Sequence, residues 1–165
     1  MRRPKPCELI TDPGHLIAFG FGSGLSPWAP GTMGSLAAIP LYLGLAPTCL
    51  PDMLLLAIVA AFAVGVPICN RTGHWLGKPD HPAIVWDEVV AMWVVLYTVP
   101  PSWLWYTVAL CLFRLFDITK PWPIRVVDQR LKNGFGVMLD DLLAALYTMI
   151  FLAAARVLVR NLGNL

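Results

Sequence analysis

Two pairs of adjacent carboxylates and one further aspartate are the residues in this sequence best suited to catalysis. Asp87 and Glu88 open the stretch "WDEVVAMW", and Asp140 and Asp141 lie in "MLDDLLAALYT". Asp117 lies between the two pairs, in "FDITKPWPIR". Carboxylates without paired histidines or cysteines are typical ligands of Mg²⁺, Ca²⁺ or Mn²⁺. With lysine and arginine beside them, they supply what phosphoryl transfer needs: a metal site, a group that activates water, and cations for the phosphate oxygens.

Asp117 is the carboxylate hardest to explain as a purely structural residue. It lies at the C-terminal end of an apolar segment, where the helix dipole disfavours an anion. Arg114 and Lys120, three residues to either side, share its helical face. A salt-bridge ladder would offset the charge, and so would a metal ion or a phosphate held between these groups.

The stretch "KPWPIR" is predicted to end this helix and to place two cations at a membrane surface. Pro121 and Pro123 restrict the residues before them and cannot continue a helix. Trp122 suits the boundary between lipid and water. Lys120 and Arg125 are therefore expected at the level of lipid headgroups, where they could contact phosphate.

The glycine-rich stretch "GFGSGLSPWAPGTMGS", residues 20–35, is a second candidate phosphate contact. Thr32 and Ser35 are possible N-caps of the helix that follows. Backbone amides in such a turn, aimed by a helix N-terminus, form an anion site. The candidate residues are Gly22, Ser23, Gly24 and Thr32. The same glycines could equally serve close helix packing.

Each acid pair lies one helical turn before a small residue. The first pair neighbours Ala91 and the second neighbours Ala144. Small residues let another helix approach, so both pairs are predicted to face the interior of a helical bundle. The alternative is that the acids only stabilise helix N-termini, which is worth about 0.3 to 1 kcal/mol each.

Histidines and cysteines are not expected to carry the chemistry. His74 and His81 lie in one loop and either could act as a general acid, but solvated side chains are the preferred interpretation. The cysteines lie far apart with no metal-ligand spacing, so they are interpreted as reduced thiols: Cys7, Cys49, Cys69 and Cys111.

Composition indicates an integral membrane protein. The chain is 58% hydrophobic and only 13% charged, whereas soluble domains are about 45 to 50% apolar and about 25% charged. The mean hydropathy is +0.67. No composition break divides the 165 residues, so one domain is predicted over 1–165, with 1–14 as a tail. The net charge of +2 is too small and too dispersed for nucleic-acid binding.

Apolar segments predict an all-α, compact membrane bundle of about four to five hydrophobic helices, some short or interfacial. Only the second and last segments approach the roughly 20 residues that cross a bilayer upright. The third helix would need to begin near Pro82 to reach that length, which places its acid pair at the interface. The segments are Leu36–Ala46, Met53–Cys69, Val89–Val99, Trp103–Phe116 and Leu142–Val159.

Loop charges predict the orientation of these helices. If the five segments cross the membrane in alternating directions, ten lysines and arginines lie on one side. Only Arg156 and Arg160 in the C-terminal tail lie on the other side. The side rich in lysine and arginine is expected to be cytoplasmic, and all three acidic clusters and the glycine-rich stretch lie on it. The ten residues are Arg2, Arg3, Lys5, Arg71, Lys78, Arg114, Lys120, Arg125, Arg130 and Lys132.

Three long motifs together resemble the phosphatidylglycerophosphatase A family, over roughly residues 15 to 150. They are "GFGSGLSPWAPGTMGSLAAIP", "IVWDEVVAMW" and "FRLFDITKPWPIRVVDQRLKNGFGVMLDDLLAALY". The resemblance implies an Mg²⁺-dependent phosphatase of the bacterial inner membrane. Such an enzyme converts phosphatidylglycerophosphate to phosphatidylglycerol and phosphate, in the pathway toward cardiolipin.

Carried over by position, the resemblance places metal and catalytic roles on the five carboxylates Asp87, Glu88, Asp117, Asp140 and Asp141. Lys120, Arg125 and Arg114 would contact phosphate, with Gly22, Ser23, Gly24 and Thr32 as a further contact. Which carboxylate binds metal and which activates water stays open. So do two alternatives, a phosphatase of another lipid phosphate and a non-enzymatic membrane protein that binds or transports divalent cations. The oligomeric state is not predicted.

Overall fold

The computed structural model describes residues 12–162 and, within them, consists of α-helices and 3₁₀ turns without β-strands. Each predicted apolar segment lies in a long helix, so the all-α prediction is confirmed. The helices are α1 Pro13–Ala18, α2 Pro30–Leu45, α3 Pro51–Leu76, α4 Trp86–Thr98, α5 Trp103–Thr119, α6 Ile124–Arg130 and α7 Gly134–Leu162. The 3₁₀ turns are Gly20–Leu25 and Ala46–Thr48.

A few sequence predictions fall outside the described residues. Arg2, Arg3, Lys5 and Cys7 all precede residue 12, as does most of the predicted tail 1–14. The last residues of that tail are helical, because α1 already begins at Pro13. Among the described cysteines, Cys49, Cys69 and Cys111 are free thiols, as predicted.

Prolines begin several of the helices. Pro13, Pro30 and Pro51 are the first residues of α1, α2 and α3, where the missing N–H has no intrahelical partner to lose. Helix α2 therefore starts earlier than expected, and the prediction that Thr32 or Ser35 caps it is wrong. Both lie inside the helix.

Helix α4 is the centre of the bundle. It packs against α2, α3, α5 and α7, and most of its side chains are buried. The indole N–H groups of two of its tryptophans reach backbone carbonyls of the surrounding helices. Trp93 Nε1 donates to Ala38 O at 3.0 Å, and Trp86 Nε1 donates to Ala61 O at 3.1 Å. These bonds satisfy donors that would otherwise be buried without partners.

Two helices, α3 and α7, are long and apolar enough to cross a membrane by length and composition. That is fewer than the four or five that the sequence predicts. Helix α4 has 13 residues, or about 20 Å, against a hydrocarbon core of about 30 Å. The prediction that it begins near Pro82 is wrong, because the chain from 77 to 85 forms a turn and the helix starts at Trp86.

The helices alternate in direction, so the connecting segments gather at two ends of the bundle. One end, called here the site end, contains segments 19–29, 77–85 and 120–133. Gly24 packs against the Ala83 carbonyl there, and Lys120 contacts Asp140. At the opposite end Arg156 Nη1 donates to Thr98 O at 3.0 Å.

Candidate active site

The first turn of α4 supplies the first acid pair. Asp87 is buried, and the Glu88 side chain is 12% exposed. The preceding loop positions the helix start, because Val85 N–H donates to Ala18 O at 2.9 Å. The N-terminal end of a helix carries a partial positive charge that favours the two anions.

Helix α7 brings Asp141 to this pair. One carboxylate oxygen from each of Asp87, Glu88 and Asp141 lies within 4.8 Å of the other two. Helices α4 and α7 pack against each other, and each has a small residue one turn after its acid pair. Ala91 and Ala144 are 2% and 0% exposed, as the small-residue pattern predicted. We call these three carboxylates the acidic trio.

Asp117 and Arg114 extend the acidic trio from α5. The Arg114 guanidinium forms an ion pair with Asp117 and lies 3.7 Å from Glu88 Oε1. Both partners of the ion pair are largely shielded from solvent, at 15% and 12% exposure. Asp117 also acts electrostatically on Asp141. Arg114 therefore neutralises part of the negative charge and presents a guanidinium at the edge of the trio.

Gly31 of α2 provides the room for Arg114 and Glu88. A Cβ at this position would lie 2.2 Å from Glu88 Oε1 and 3.0 Å from an Arg114 nitrogen. In the sequence, Gly31 is only one of several glycines in the stretch 20–35. Its contact with the site depends on how α2 and α4 pack, which no spacing along the chain reveals.

The acidic trio has the properties of a divalent-cation site. Asp87 Oδ1 and Glu88 Oε2 are buried and have no hydrogen-bond partner among the described residues. Buried carboxylates are costly unless a cation or a donor compensates them. Arg114 compensates only Glu88 and Asp117. Three hard oxygen donors in mutual reach fit Mg²⁺, Ca²⁺ or Mn²⁺.

Lys120 holds Asp140 apart from the trio. Its ammonium lies 2.5 Å from Asp140 Oδ2 and 3.0 Å from Asp128 Oδ1. Lys132 also approaches Asp128, at 3.4 Å. We call these four residues the lysine cluster. The structure thus divides the five predicted carboxylates into a trio, an Arg114-paired Asp117 and a Lys120-paired Asp140, and their individual roles stay predictions.

Two members of the lysine cluster, Lys120 and Asp128, lie outside the long apolar helices and have shifted pKa values. Partial burial alone would lower the pKa of Lys120, but the hydrogen bonds and charges of Asp140 and Asp128 outweigh it and raise the pKa well above its usual value. Burial alone would raise the pKa of Asp128, but the Lys120 ammonium, and then Lys132, hold that pKa below its usual value. Lys120 and Asp128 therefore stay charged across the physiological pH range.

Sequence reasoning missed Asp128. It lies eight residues after Lys120, and the intervening prolines prevent any regular spacing from linking the two. Its position four residues before Lys132 was the only local sign of a pair. Arg125, predicted to contact phosphate, is exposed on α6.

Three glycines of the glycine-rich stretch, Gly20, Gly24 and Gly34, pack against the segment 83–85 before α4. A Cβ on Gly24 would lie 2.1 Å from Ala83 O, and Ser23 Oγ donates to Gly20 O at 2.8 Å. Gly22 has a φ of 103°, which favours glycine. Thr32 is half-buried in the first turn of α2. Close packing, one of the two predicted uses, is what these contacts show, and a role in phosphate binding stays a prediction.

The interpretation of His81 as a solvated loop residue is wrong. His81 is 6% exposed, and its Nδ1 accepts a hydrogen bond from Ala83 N–H at 3.1 Å. This bond shapes the turn that leads into α4. His74 is exposed as predicted, but the prediction that it lies in a loop is wrong, because it belongs to the last turn of α3.

Comparisons with known proteins show the family of this chain. The family model of phosphatidylglycerophosphatase A matches residues 16–156. A phosphatidylglycerophosphatase A of Escherichia coli is 45% identical over 82% of this chain and 78% of the relative. One of Haemophilus influenzae is 46% identical over 93% of this chain and 96% of the relative. No solved structure matches this chain.

A third relative has a different name. A protein of Bacteroides thetaiotaomicron, provisionally named phosphatidylinositol-3-phosphatase, is 42% identical over 86% of this chain and 92% of the relative. The chain belongs to the phosphatidylglycerophosphatase A family. It is a phosphatase.

Proposed function

We propose that this phosphatase removes the terminal phosphate of phosphatidylglycerophosphate, releasing phosphatidylglycerol and inorganic phosphate, with Mg²⁺ held by Asp87, Glu88 and Asp141. The observation that carries the proposal is the acidic trio, whose oxygens lie within 4.8 Å of one another. The Arg114 guanidinium lies 3.7 Å from Glu88 Oε1. This combination of hard oxygens and a cation suits a phosphomonoester.

The reaction proposed is direct attack by water. The water oxygen forms a bond to phosphorus while the bond from phosphorus to the glycerol oxygen breaks. One proton of the water passes to a carboxylate of the site, and the departing glycerol oxygen takes up a proton to leave as an alcohol. Asp87, Glu88 and Asp141 would hold the divalent cation, which would supply positive charge for the phosphoryl oxygens.

The chain's own cations and carboxylates have distinct parts in this scheme. Arg114 binds non-bridging phosphate oxygens, and Asp117 orients the guanidinium through their ion pair. Lys120 is held at the site end by Asp128 and Asp140. It supplies a further positive charge for the phosphate or the neighbouring headgroup phosphodiester. Single turnover in ¹⁸O-labelled water tests direct attack, because label recovered in an aspartate would indicate an aspartyl-phosphate instead.

The setting proposed is the bacterial inner membrane, with several helices embedded and the site end toward the cytoplasm. The two relatives named phosphatidylglycerophosphatase A are bacterial proteins, and α3 and α7 are long and apolar enough to span. Lysine and arginine concentrate at the site end, as cytoplasmic loops do. The reaction would there supply phosphatidylglycerol for the pathway toward cardiolipin.

A second candidate function is hydrolysis of another lipid phosphate. The relative named for phosphatidylinositol 3-phosphate favours it, since it matches most of this chain. Cation transport, the remaining alternative, is less well supported, because the acidic trio lies at one end of the bundle and transport sites lie near the bilayer midplane.

The decisive experiment measures phosphate release by the purified full-length protein in detergent micelles. The substrates are phosphatidylglycerophosphate, phosphatidate, phosphatidylinositol 3-phosphate and a soluble phosphomonoester, each with Mg²⁺ and with a chelator. We expect phosphatidylglycerophosphate to be preferred and the chelator to abolish release. Preference for phosphatidylinositol 3-phosphate would instead establish the second candidate. Mg²⁺ uptake into vesicles without phosphate release would favour transport.

Two variants link the reaction to the trio. Asp141→Asn should lower kcat/KM by at least about 100-fold, corresponding to about 2.7 kcal/mol of lost transition-state stabilisation. Asp52→Asn is the matched control, because Asp52 is exposed in the first turn of α3 at the opposite end of the bundle. Full activity of Asp141→Asn would remove this residue from the site.

A further inference from the structure

Three tyrosines from three helices meet in a cavity at the end of the bundle opposite the candidate active site. Tyr42 of α2, Tyr97 of α4 and Tyr106 of α5 all line this cavity, which encloses about 530 Å³. Tyr97 and Tyr106 both lie close enough to act electrostatically on the Tyr42 phenol. We call this space the tyrosine cavity.

The hydroxyls of the tyrosine cavity lack hydrogen-bond partners within the described part of the chain. Tyr42 and Tyr106 are only 7% and 5% exposed. Within residues 12–162, Tyr147 is the one tyrosine whose hydroxyl forms a hydrogen bond, and it donates to Trp122 O at 2.7 Å. Buried phenols usually find a partner, so the three convergent hydroxyls are available to a ligand that supplies acceptor oxygens.

The rest of the cavity wall is uncharged. No charged side chain among the described residues lines it, and the adjoining segments 46–50 and 99–102 contain none. Leu43, Leu54 and Leu96 contribute apolar surface. The group that fits this wall is therefore uncharged and carries oxygen acceptors directly beside hydrocarbon.

The three tyrosines also lie at a similar depth in the bundle. Each is within three residues of a helix end, because α2 ends at Leu45, α4 ends at Thr98 and α5 begins at Trp103. Three residues of helix are about 4.5 Å long. In a bilayer this is the boundary between lipid and water, where tyrosine is enriched. The ester groups of glycerolipids lie at this boundary, with carbonyl oxygens next to the acyl chains.

We propose that the tyrosine cavity binds the ester region of a membrane glycerolipid, with Tyr42, Tyr97 and Tyr106 donating hydrogen bonds to ester carbonyl oxygens. The proposal rests on the membrane setting proposed above but not on the reaction, because the cavity contains no residue of the acidic trio or the lysine cluster. It gives the protein a second lipid site, at the end away from the catalytic groups. A lipid without ester carbonyls would leave the hydroxyls unpaired, which lowers affinity.

The test compares an ester lipid with its ether analogue. Native mass spectrometry of the full-length protein in detergent measures the apparent Kd of dioleoyl phosphatidylcholine and of its analogue with ether linkages in place of both esters. Phosphatidylcholine has no phosphomonoester, so the candidate active site cannot hydrolyse it. We expect the wild type to bind the ester lipid about fivefold more tightly, which corresponds to one net hydrogen bond. Equal Kd values would show that the hydroxyls are solvated and would overturn the proposal.

Removal of two hydroxyls should abolish this preference. The double variant Tyr42→Phe/Tyr106→Phe keeps both rings and should bind the two lipids equally. Tyr147→Phe is the matched control, because it loses a hydroxyl that is bonded at the site end, and it should retain the preference. A preference that persists in the double variant, or that disappears in the control, would contradict the assignment.

A third variant blocks the cavity and leaves every hydroxyl in place. Ala46 lines the cavity directly after the last residue of α2, so the ring of Ala46→Phe occupies part of the space. This variant should raise the Kd of the ester lipid at least to that of the ether lipid, and an unchanged Kd would overturn the proposal. Melting temperatures in detergent identify any variant that fails to fold.

Two further readouts separate this proposal from its alternatives. Phosphate release by the same preparations tests the proposed function, and a wild type that releases no phosphate but prefers the ester lipid would defeat only that function. The same spectra report the oligomeric mass. A wild-type dimer that becomes a monomer in Ala46→Phe, without any ester preference, would show that a second copy of the chain occupies the cavity. That result would overturn the proposal.

Discussion

At the scale of single residues, the site separates two kinds of carboxylate. Asp87, Glu88 and Asp141 face one another with little compensating charge, whereas Asp140 and Asp128 are bound to Lys120. The first arrangement is unfavourable for the protein alone and favourable with a divalent cation. In the second arrangement the lysine already compensates the carboxylates, so the role of Asp140 and Asp128 is to position Lys120.

The lysine cluster predicts that the stability difference between the wild type and Asp128→Asn depends on pH. The folded pKa of Asp128 is lowered, so its ion pair contributes stability above the unfolded value near 4 and loses it as pH falls through the folded value. The ion pair is partly exposed, so it is worth at most about 1 kcal/mol. Asp128→Asn should therefore lower the Tm by about 2 to 4 °C at pH 7, and this Tm difference should shrink as pH falls from the unfolded value near 4 through the lowered folded pKa.

Thermal melts in detergent from pH 3 to 8 measure this difference. Asp52→Asn is the control, since Asp52 is exposed and far from the lysine cluster. A Tm difference for Asp128→Asn that does not shrink as the solution is acidified would show that the aspartate stabilises the fold by packing and not by charge.

At the scale of elements, the close approach of α2 to α4 and α5 decides the site's shape. Gly31 stands where α2 meets both Glu88 and Arg114, and no side chain fits between them. The short α4 contributes its first turn, and α7 packs against it. The site is thus formed where helices meet, and each helix alone carries only part of it.

Gly31 and Gly44 offer a matched pair of substitutions in one helix. Gly31→Ala would place a methyl group 2.2 Å from Glu88 Oε1, so Glu88 and Arg114 must move. We expect kcat/KM to fall at least about tenfold, because small displacements of catalytic groups are costly. A Cβ at Gly44 meets nothing within 4 Å, so Gly44→Ala should retain activity and a Tm equal to or above that of the wild type.

Phosphate-release kinetics and thermal melts of both variants distinguish the site from the fold. Gly31→Ala with wild-type kcat/KM would mean that the Glu88 and Arg114 positions do not matter for turnover. Equal losses in both variants would point to helix α2 itself and not to the contact.

At the scale of the whole molecule, alternation of helix direction gathers the chemistry at one end. The acidic trio and the lysine cluster come from α4, α6, α7 and the segments beside them. The opposite end contains segments 46–50 and 99–102, which have no lysine or arginine. A lipid phosphatase whose substrate lies in the inner leaflet needs this asymmetry.

The predicted orientation can be tested by cysteine labelling. In a variant whose four native cysteines are replaced by alanine, Lys78→Cys lies at the site end and Thr48→Cys at the opposite end. A maleimide that does not cross membranes should label Thr48→Cys in intact spheroplasts and Lys78→Cys only in inverted vesicles. The reverse pattern would place the site end outside, and labelling of both from one side would contradict a spanning arrangement.

Sequence alone determined the class of this protein and most of its chemical groups. Apolar segments predict every long helix, because hydrophobic composition is a property of consecutive residues. The sequence also identifies the acid pairs, Asp117 and Arg114, since carboxylates and a guanidinium are easily recognised in an apolar chain. The resemblance to the family rests on the same contiguous motifs.

Tertiary structure alone decided which of these groups act together. Asp141 joins Asp87 and Glu88 while its neighbour Asp140 binds Lys120, and only the rotation of α7 against α4 separates adjacent aspartates in this way. Asp128 and Gly31 enter the site through contacts between α6 and Lys120 and between α2, α4 and α5. His81 is buried by a turn that its own hydrogen bond completes. The physical reason is common to all four residues: a side chain's partners depend on how helices pack, and packing joins residues that are distant in the chain.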